Sequence, residues 1–224
     1  MHRRWLHGLL GALALILSGC GGVQQSGQQA ICTDQTFVPN YVPQLDRLLR
    51  WSGFPVRVYF VKDEHYTPLR QSLTLKGFDQ WVDATELKVR YQVVNEEKDA
   101  QIVVRFVPSL PPPLAGQTNF SFYTNGRLVR AEMQITTKGR SAVDIQSIAA
   151  HEFGHALGIN GHSSNPADMM YATFTPNTPL QITARDLNTL KTAYCDLFWT
   201  GSRSPGVPAG EPLLRCTIRC PYQH

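Results

Sequence analysis

The residues best equipped for chemistry lie in one run, His151-Glu152-Phe153-Gly154-His155-Ala156-Leu157-Gly158-Ile159-Asn160-Gly161-His162. Residues four apart on a helix share a face, so His151 and His155 can hold one metal ion between them. Glu152 sits beside the pair, placed to act as a base on water at the metal rather than on the metal itself. Gly158 can end the helix in a left-handed turn that would penalise a side chain. Such a turn lets the chain swing His162 back as a third ligand. Three protein ligands with one open position describe a catalytic zinc site, not a closed structural one. If His162 is only a surface loop residue, Asp168 is the substitute oxygen ligand that zinc would accept.

The run continues as His162-Ser163-Ser164-Asn165-Pro166-Ala167-Asp168-Met169-Met170-Tyr171. Together the two stretches resemble the metzincin clan of zinc peptidases and, within it, the matrixins. The family places its third histidine three residues after the glycine. Here Gly161 stands at that place and the histidine follows at His162, a one-residue insertion. With His162 as the ligand, Met170 falls at the family spacing of eight residues. Met170 is then the Met-turn residue, a hydrophobic floor beneath the metal, with Met169 as the neighbour that could be confused with it.

The resemblance implies a metzincin-like catalytic domain hydrolysing peptide bonds with one zinc ion held by His151, His155 and His162. Zinc lowers the pKa of bound water toward ~7, and Glu152 acts as the general base. An extended peptide would pair with an edge strand within Asn119 to Tyr123, which makes Asn119, Phe120 and Ser121 substrate-binding candidates. Ordinary strand packing competes for Phe120 and Phe122. The loop with Tyr171, Thr173 and Phe174 would wall the pocket for the residue after the cut. In matrixins a propeptide motif supplies a cysteine that blocks the zinc. That motif is not found here, and Cys32 is the residue considered for the role. Calcium, Ca(2+), stays open through backbone oxygens, with no cluster to support it.

These residues need a scaffold, and the pattern reads as α/β with a mixed sheet. Strands are expected at Pro55 to Val61, Leu87 to Val94 and Gln101 to Val107, from alternating β-branched and polar residues. A hairpin is expected from Thr118 to Tyr123 and Leu128 to Thr137, with Asn125-Gly126 at its turn. A helix is expected over 66–83. The site helix would run from Ala142 to Leu157, burying Ile145, Ala149, Phe153 and Ala156. A last helix would run from Arg185 to Leu197, with Thr183 as N-cap and Asp186 in its first turn.

Residues 1–19 read as a signal peptide, with Arg3 and Arg4 ahead of an apolar run too short for a confident span. Leu17-Ser18-Gly19-Cys20 resembles a bacterial lipobox, which implies lipidation of Cys20 and a cell-envelope protein on the outer membrane or cell surface. Residues 20–40 would be a tether, 41–198 the peptidase domain and 199–224 a Pro/Gly-rich tail. Losing Arg3 and Arg4 lowers the formal charge from +4 to +2, which speaks against a nucleic-acid partner. Cys32, Cys195, Cys216 and Cys220 are an even set for an exported chain, with Cys32–Cys195 and Cys216–Cys220 favoured. The expected partners are a protein or peptide substrate and the membrane, for a monomeric protein. Two other classes compete: a zinc-binding lipoprotein that binds peptides without cleaving them, and an interaction module with structural zinc.

Overall fold

The structure is a computed structural model that describes residues 32–199 and 213–221. The signal segment, Cys20 and most of the tether lie outside the described residues. In chain order the elements are β1 (Arg47–Leu48), β2 (Val56–Phe60), α1 (Pro68–Ala84), β3 (Tyr91–Val93), β4 (Ile102–Val107), β5 (Leu114–Tyr123), β6 (Leu128–Thr136), α2 (Ala142–Ala156), β7 (Ile159–Asn160), α3 (Ala184–Ala193), α4 (Cys195–Phe198) and β8 (Leu213–Pro221).

Among the described residues, six strands form one mixed sheet in the order β3-β2-β4-β6-β5-β8. β2 runs parallel to β3 and β4, and β4 parallel to β6, while β5 is antiparallel to both β6 and β8. The central strands follow their alternation: Val56, Val58 and Phe60 are buried while Arg57 points out. α1 and α2 pack against each other, and α2 lies over β5 and β6. Phe78 of α1 stacks on Phe153 of α2 with ring centroids 3.9 Å apart. Trp81 anchors the same contact by donating its indole N–H to the Ala150 carbonyl at 2.8 Å.

Three differences from the sequence reading matter. The strand expected from Leu87 to Val94 shrinks to Tyr91–Val93, because Glu86 and Leu87 turn the chain out of α1 at φ of 53° and 63°. A two-stranded ladder, β1 with β7, was not legible; it pairs Leu48 with Ile159 and Arg47 with Asn160, and so pins the segment just before His162. The third concerns the tail, which supplies β8 to the outer edge of β5.

Cys32 and Cys195 form a disulfide with Cα atoms 5.7 Å apart, joining the start of the domain to α4. Cys216 and Cys220 are free thiols, which corrects the second expected pair. Four residues of extended strand span roughly 13 Å, beyond the ~7 Å that a disulfide allows between Cα atoms. Since the Cys32–Cys195 link closes a sequence separation of 163 residues, its loss should cost about 5 kcal/mol through the unfolded state. Chemical denaturation of a Cys32→Ser, Cys195→Ser double variant measures this directly.

Candidate metal centre

α2 is built to be rigid at both ends. Ser141 accepts from the Asp144 amide while the Asp144 carboxylate accepts from the Ser141 amide, a reciprocal cap at the start. At the other end, the Trp51 indole donates to the Ala156 carbonyl at 2.9 Å and the Tyr194 hydroxyl to the Leu157 carbonyl at 2.6 Å. Carbonyls that a helix terminus would otherwise leave unpaired in the core are thus satisfied. Gly158 then reverses the chain at a φ of 118° and its carbonyl accepts from the Leu49 amide. Gly161, at a φ of 137°, completes the longer loop that delivers His162. These are backbone conformations that L side chains resist.

The three histidines converge. The Nε2 atom of His155 lies 3.1 Å from that of His151 and 3.3 Å from that of His162. Two of the rings are oriented from behind: the Nδ1–H of His151 donates to the Met169 carbonyl and that of His155 to the Ile159 carbonyl, each at 2.7 Å. This places the proton on Nδ1 and leaves Nε2 as a bare lone pair facing its neighbours. Burial, reinforced by His162, lowers His151 to about 3, and burial lowers His162 to about 4. His155 is held well below its ordinary value by burial and then by the other two rings. The trio is therefore neutral at pH 7.

A fourth ligand atom joins them. The Sγ of Cys220, on β8, is 3.3 Å from His155 Nε2 and 3.6 Å from His162 Nε2. Among the described residues, His151, His155, His162 and Cys220 form the group that could hold a metal ion, their ligand atoms all within 4.8 Å of one another. Asp168 is not in it. Its buried carboxylate accepts from Arg185 at 2.9 Å, from Ser163 and from Thr183, so the alternative of Asp168 as an oxygen ligand is set aside. Cys32 is engaged in its disulfide and cannot act on the site either.

Glu152 is fully buried beside the cluster, and burial pushes its carboxyl up to about 7, opposed by hydrogen bonds from Thr118 and then from Cys220. Thr118 donates to Oε2 at 2.6 Å, while Oε1 has no partner at good hydrogen-bond geometry. One carboxylate oxygen is thus anchored and the other is kept available. In a Cys220→Ser background, Thr118→Val, which removes the anchor at nearly constant volume, should lower turnover by roughly 10-fold while leaving metal content unchanged, since a hydrogen bond to a charged group contributes about 1.5–3 kcal/mol. Steady-state kinetics with elemental analysis checks both halves.

Met169 and Met170 are both fully buried. Met170 lies beneath α2, where a side chain larger than hydrogen at Gly154 would collide with Met170 and Trp81. The turn is held by Asp186 of α3, whose carboxylate accepts from the amides of Met169 at 2.8 Å and Met170 at 3.2 Å and from the Tyr41 hydroxyl at 2.8 Å. Next to His151 and Glu152 is a small cavity of about 10 Å³ with apolar walls that include Ile148, Tyr171, Phe174 and Leu180. Tyr171 and Phe174 line this cavity, and Thr173 is not among the lining residues.

The substrate-strand candidates lie differently. Phe120 and Phe122 are buried in the core, the ordinary packing role, while Asn119 and Ser121 alternate on the other face of β5. β5 is not an edge strand, because β8 pairs along it from Leu114 to Tyr123, with Asn119 accepting from the Thr217 hydroxyl.

A matrixin family model matches residues 112–195. The match takes in β5, β6, α2, the histidine loop, the Met170 turn and α3. Macrophage metalloelastase of Rattus norvegicus is 29% identical over 189 residues, which cover 77% of this chain and 36% of that protein. Metalloendoproteinase 1-MMP of Arabidopsis thaliana is 34% identical over 117 residues, 46% of this chain and 31% of its own. Probable matrix metalloproteinase 095L of Invertebrate iridescent virus 3 is 34% identical over 110 residues, 43% and 30% respectively. The chain spans about a third of the length of these relatives. The fold is mixed α/β and agrees with a matrixin-like metzincin catalytic domain. Sequence reasoning passed over Thr118, the cluster role of Cys220 and the turn-holding role of Asp186.

Proposed function

We propose that this chain is a zinc-dependent metalloendopeptidase of the bacterial cell envelope, lipid-anchored through Cys20 and acting on extracytoplasmic proteins or peptides. The observation that carries the reading is the convergence of three uncharged imidazoles, two of them oriented by backbone carbonyls, beside a buried carboxylate anchored through one oxygen. The bare Nε2 lone pairs of His151 and His155, 3.1 Å apart, repel one another unless a cation lies between them, and imidazole with thiolate suits zinc. His151, His155 and His162 would hold the ion. Bound zinc supplies a Lewis acid that polarises a carbonyl and makes water a better nucleophile near neutral pH.

The chain's own groups supply the rest. Glu152 Oε1 takes a proton from the attacking water and returns it to the leaving amine, while Thr118 keeps the carboxylate from rotating away. Tyr171 and Phe174 give the ground beside the cluster an apolar wall, the kind of lining against which an apolar side chain of a substrate would pack once the cavity opened. The Cys32–Cys195 disulfide accords with an oxidising, exported setting.

One observation favours a second reading. Three histidines and a cysteine make a complete four-ligand set, the composition of a closed structural zinc site. A non-catalytic zinc-binding envelope lipoprotein would have that set and no turnover. A broad peptide library assayed on the full chain and on a Cys220→Ser form, with and without a chelator, separates the two. The peptidase reading expects cleavage in at least the Cys220→Ser form, lost on chelation and restored by zinc. Zinc bound in both forms with no cleavage in either supports the structural site instead.

A further inference from the structure

The strand β8 occupies the ground where a substrate strand would lie. It runs antiparallel along β5 from Leu213 opposite Tyr123 to Pro221 opposite Leu114. This is strand addition to a sheet edge, the way extended peptides are captured. On its far side, the Pro221 carbonyl accepts from the Phe174 amide at 2.9 Å, so the strand's end is held between β5 and the segment that walls the cavity. Ile218 and Cys220 are its buried side chains, and Thr217 and Arg219 point outward.

The register decides what this strand does. Cys220 is opposite Gly116, and Gly116 is the position where any side chain would collide with the Glu152 carboxylate. The pairing therefore sets the Cys220 sulfur directly into the histidine cluster, at the distances given above. A sulfur within reach of one ligand could be an accident of a buried strand. A sulfur that completes a four-ligand set, at the end of a strand clamped on both sides, has the geometry of a ligand.

We infer that Cys220 is the fourth zinc ligand and that β8 is a built-in occluding strand, which holds the enzyme latent by filling both the open metal position and the substrate strand position. Cys220 binds as thiolate, its proton leaving as the metal binds. Release of β8 would vacate both positions together. The inference rests on the peptidase reading, and the test keeps the two apart.

The full chain is loaded with Co(II) and its near-ultraviolet absorption recorded, because a thiolate ligand gives an intense charge-transfer band that imidazole does not. In parallel, zinc-loaded and metal-free protein is treated with iodoacetamide and the thiols of Cys216 and Cys220 are followed by mass spectrometry, Cys216 serving as the internal reference. The same chain is assayed for peptide cleavage beside Cys220→Ser and Cys220→Ser/Ile218→Asp, the latter also loosening the strand. The expected result is a band present in the parent and absent in both variants, alkylation of Cys220 slowed at least about 10-fold by zinc while Cys216 is unaffected, and cleavage raised at least about 10-fold in one or both variants. A parent chain that cleaves as fast as the variants and shows no band overturns the inference and leaves the peptidase reading standing. A band in the parent, with zinc-loaded variants that stay folded and cleave nothing, overturns latency and the peptidase reading together, and marks Cys220 as part of a structural site.

Discussion

In the Cys220→Ser background, Glu152→Gln should lower peptide cleavage by about 10³-fold, within the 10²–10⁴ range of a positioned general base, with metal content unchanged. The argument is local. Glu152 lies on the same helix as two of the ligands but is not one of the converging atoms, so its removal should not release the ion. Glutamine preserves volume and can still accept from Thr118, which holds Oε2 at 2.6 Å. What it cannot do is take a proton at the position of Oε1. A variant that keeps its turnover would mean that another group moves the proton, and the role given to Glu152 would be wrong. The Cys220→Ser background is chosen so that access to the site does not limit the comparison.

The second large effect is structural. Asp186→Ala should destabilise the fold by about 4 kcal/mol, because it strands buried donors at roughly 1–3 kcal/mol each. Three are affected beyond the helix cap: the amides of Met169 and Met170 and the hydroxyl of Tyr41. The cap of α3 is lost at the same time, since the Asp186 carboxylate also accepts from the Thr183 amide at 2.9 Å. In a domain of this size the melting temperature should fall by roughly 10 °C. The loss should not stop at stability. The Met169 carbonyl orients His151 at 2.7 Å, so a loosened turn should also weaken metal binding. Calorimetry and metal titration on the same variant test both, and a melting temperature within a degree or two of the parent would contradict this account of the turn.

How much of this was legible beforehand depended on whether the signal was local. The helix of the histidines announced itself because ligand spacing and helical period coincide, and Thr183 and Asp186 follow ordinary capping rules. The one-residue insertion before His162 was also readable, and the loop absorbs it through Gly158, Gly161 and the β1–β7 ladder. That ladder was not readable, since two-residue strands carry no period. Thr118 and Asp186 act through partners 34 and 17 residues away, Glu152 and Met169 respectively. Nothing along the chain marks such pairs without the fold.

The tail is a different kind of miss. Cys216, Ile218 and Cys220 alternate with Thr217 and Arg219, a strand pattern in plain view. It was outweighed by the glycine and proline around it and by the pairing of cysteines in twos. An even number of cysteines suggested two disulfides, whereas one of the remaining thiols faces the metal ligands.

The central claim is that three histidines on α2 and its following loop hold one zinc ion. The most direct measurement is zinc stoichiometry, by elemental analysis after dialysis, on the purified full chain and on His151→Ala, His155→Ala and His162→Ala variants. The account predicts about one zinc per parent chain and an affinity weakened on the order of 10²–10³-fold in each variant, as expected when one of four ligands sharing about 10–16 kcal/mol is removed. A parent chain that binds no zinc, or a His162→Ala variant that holds it as tightly as the parent, would contradict it.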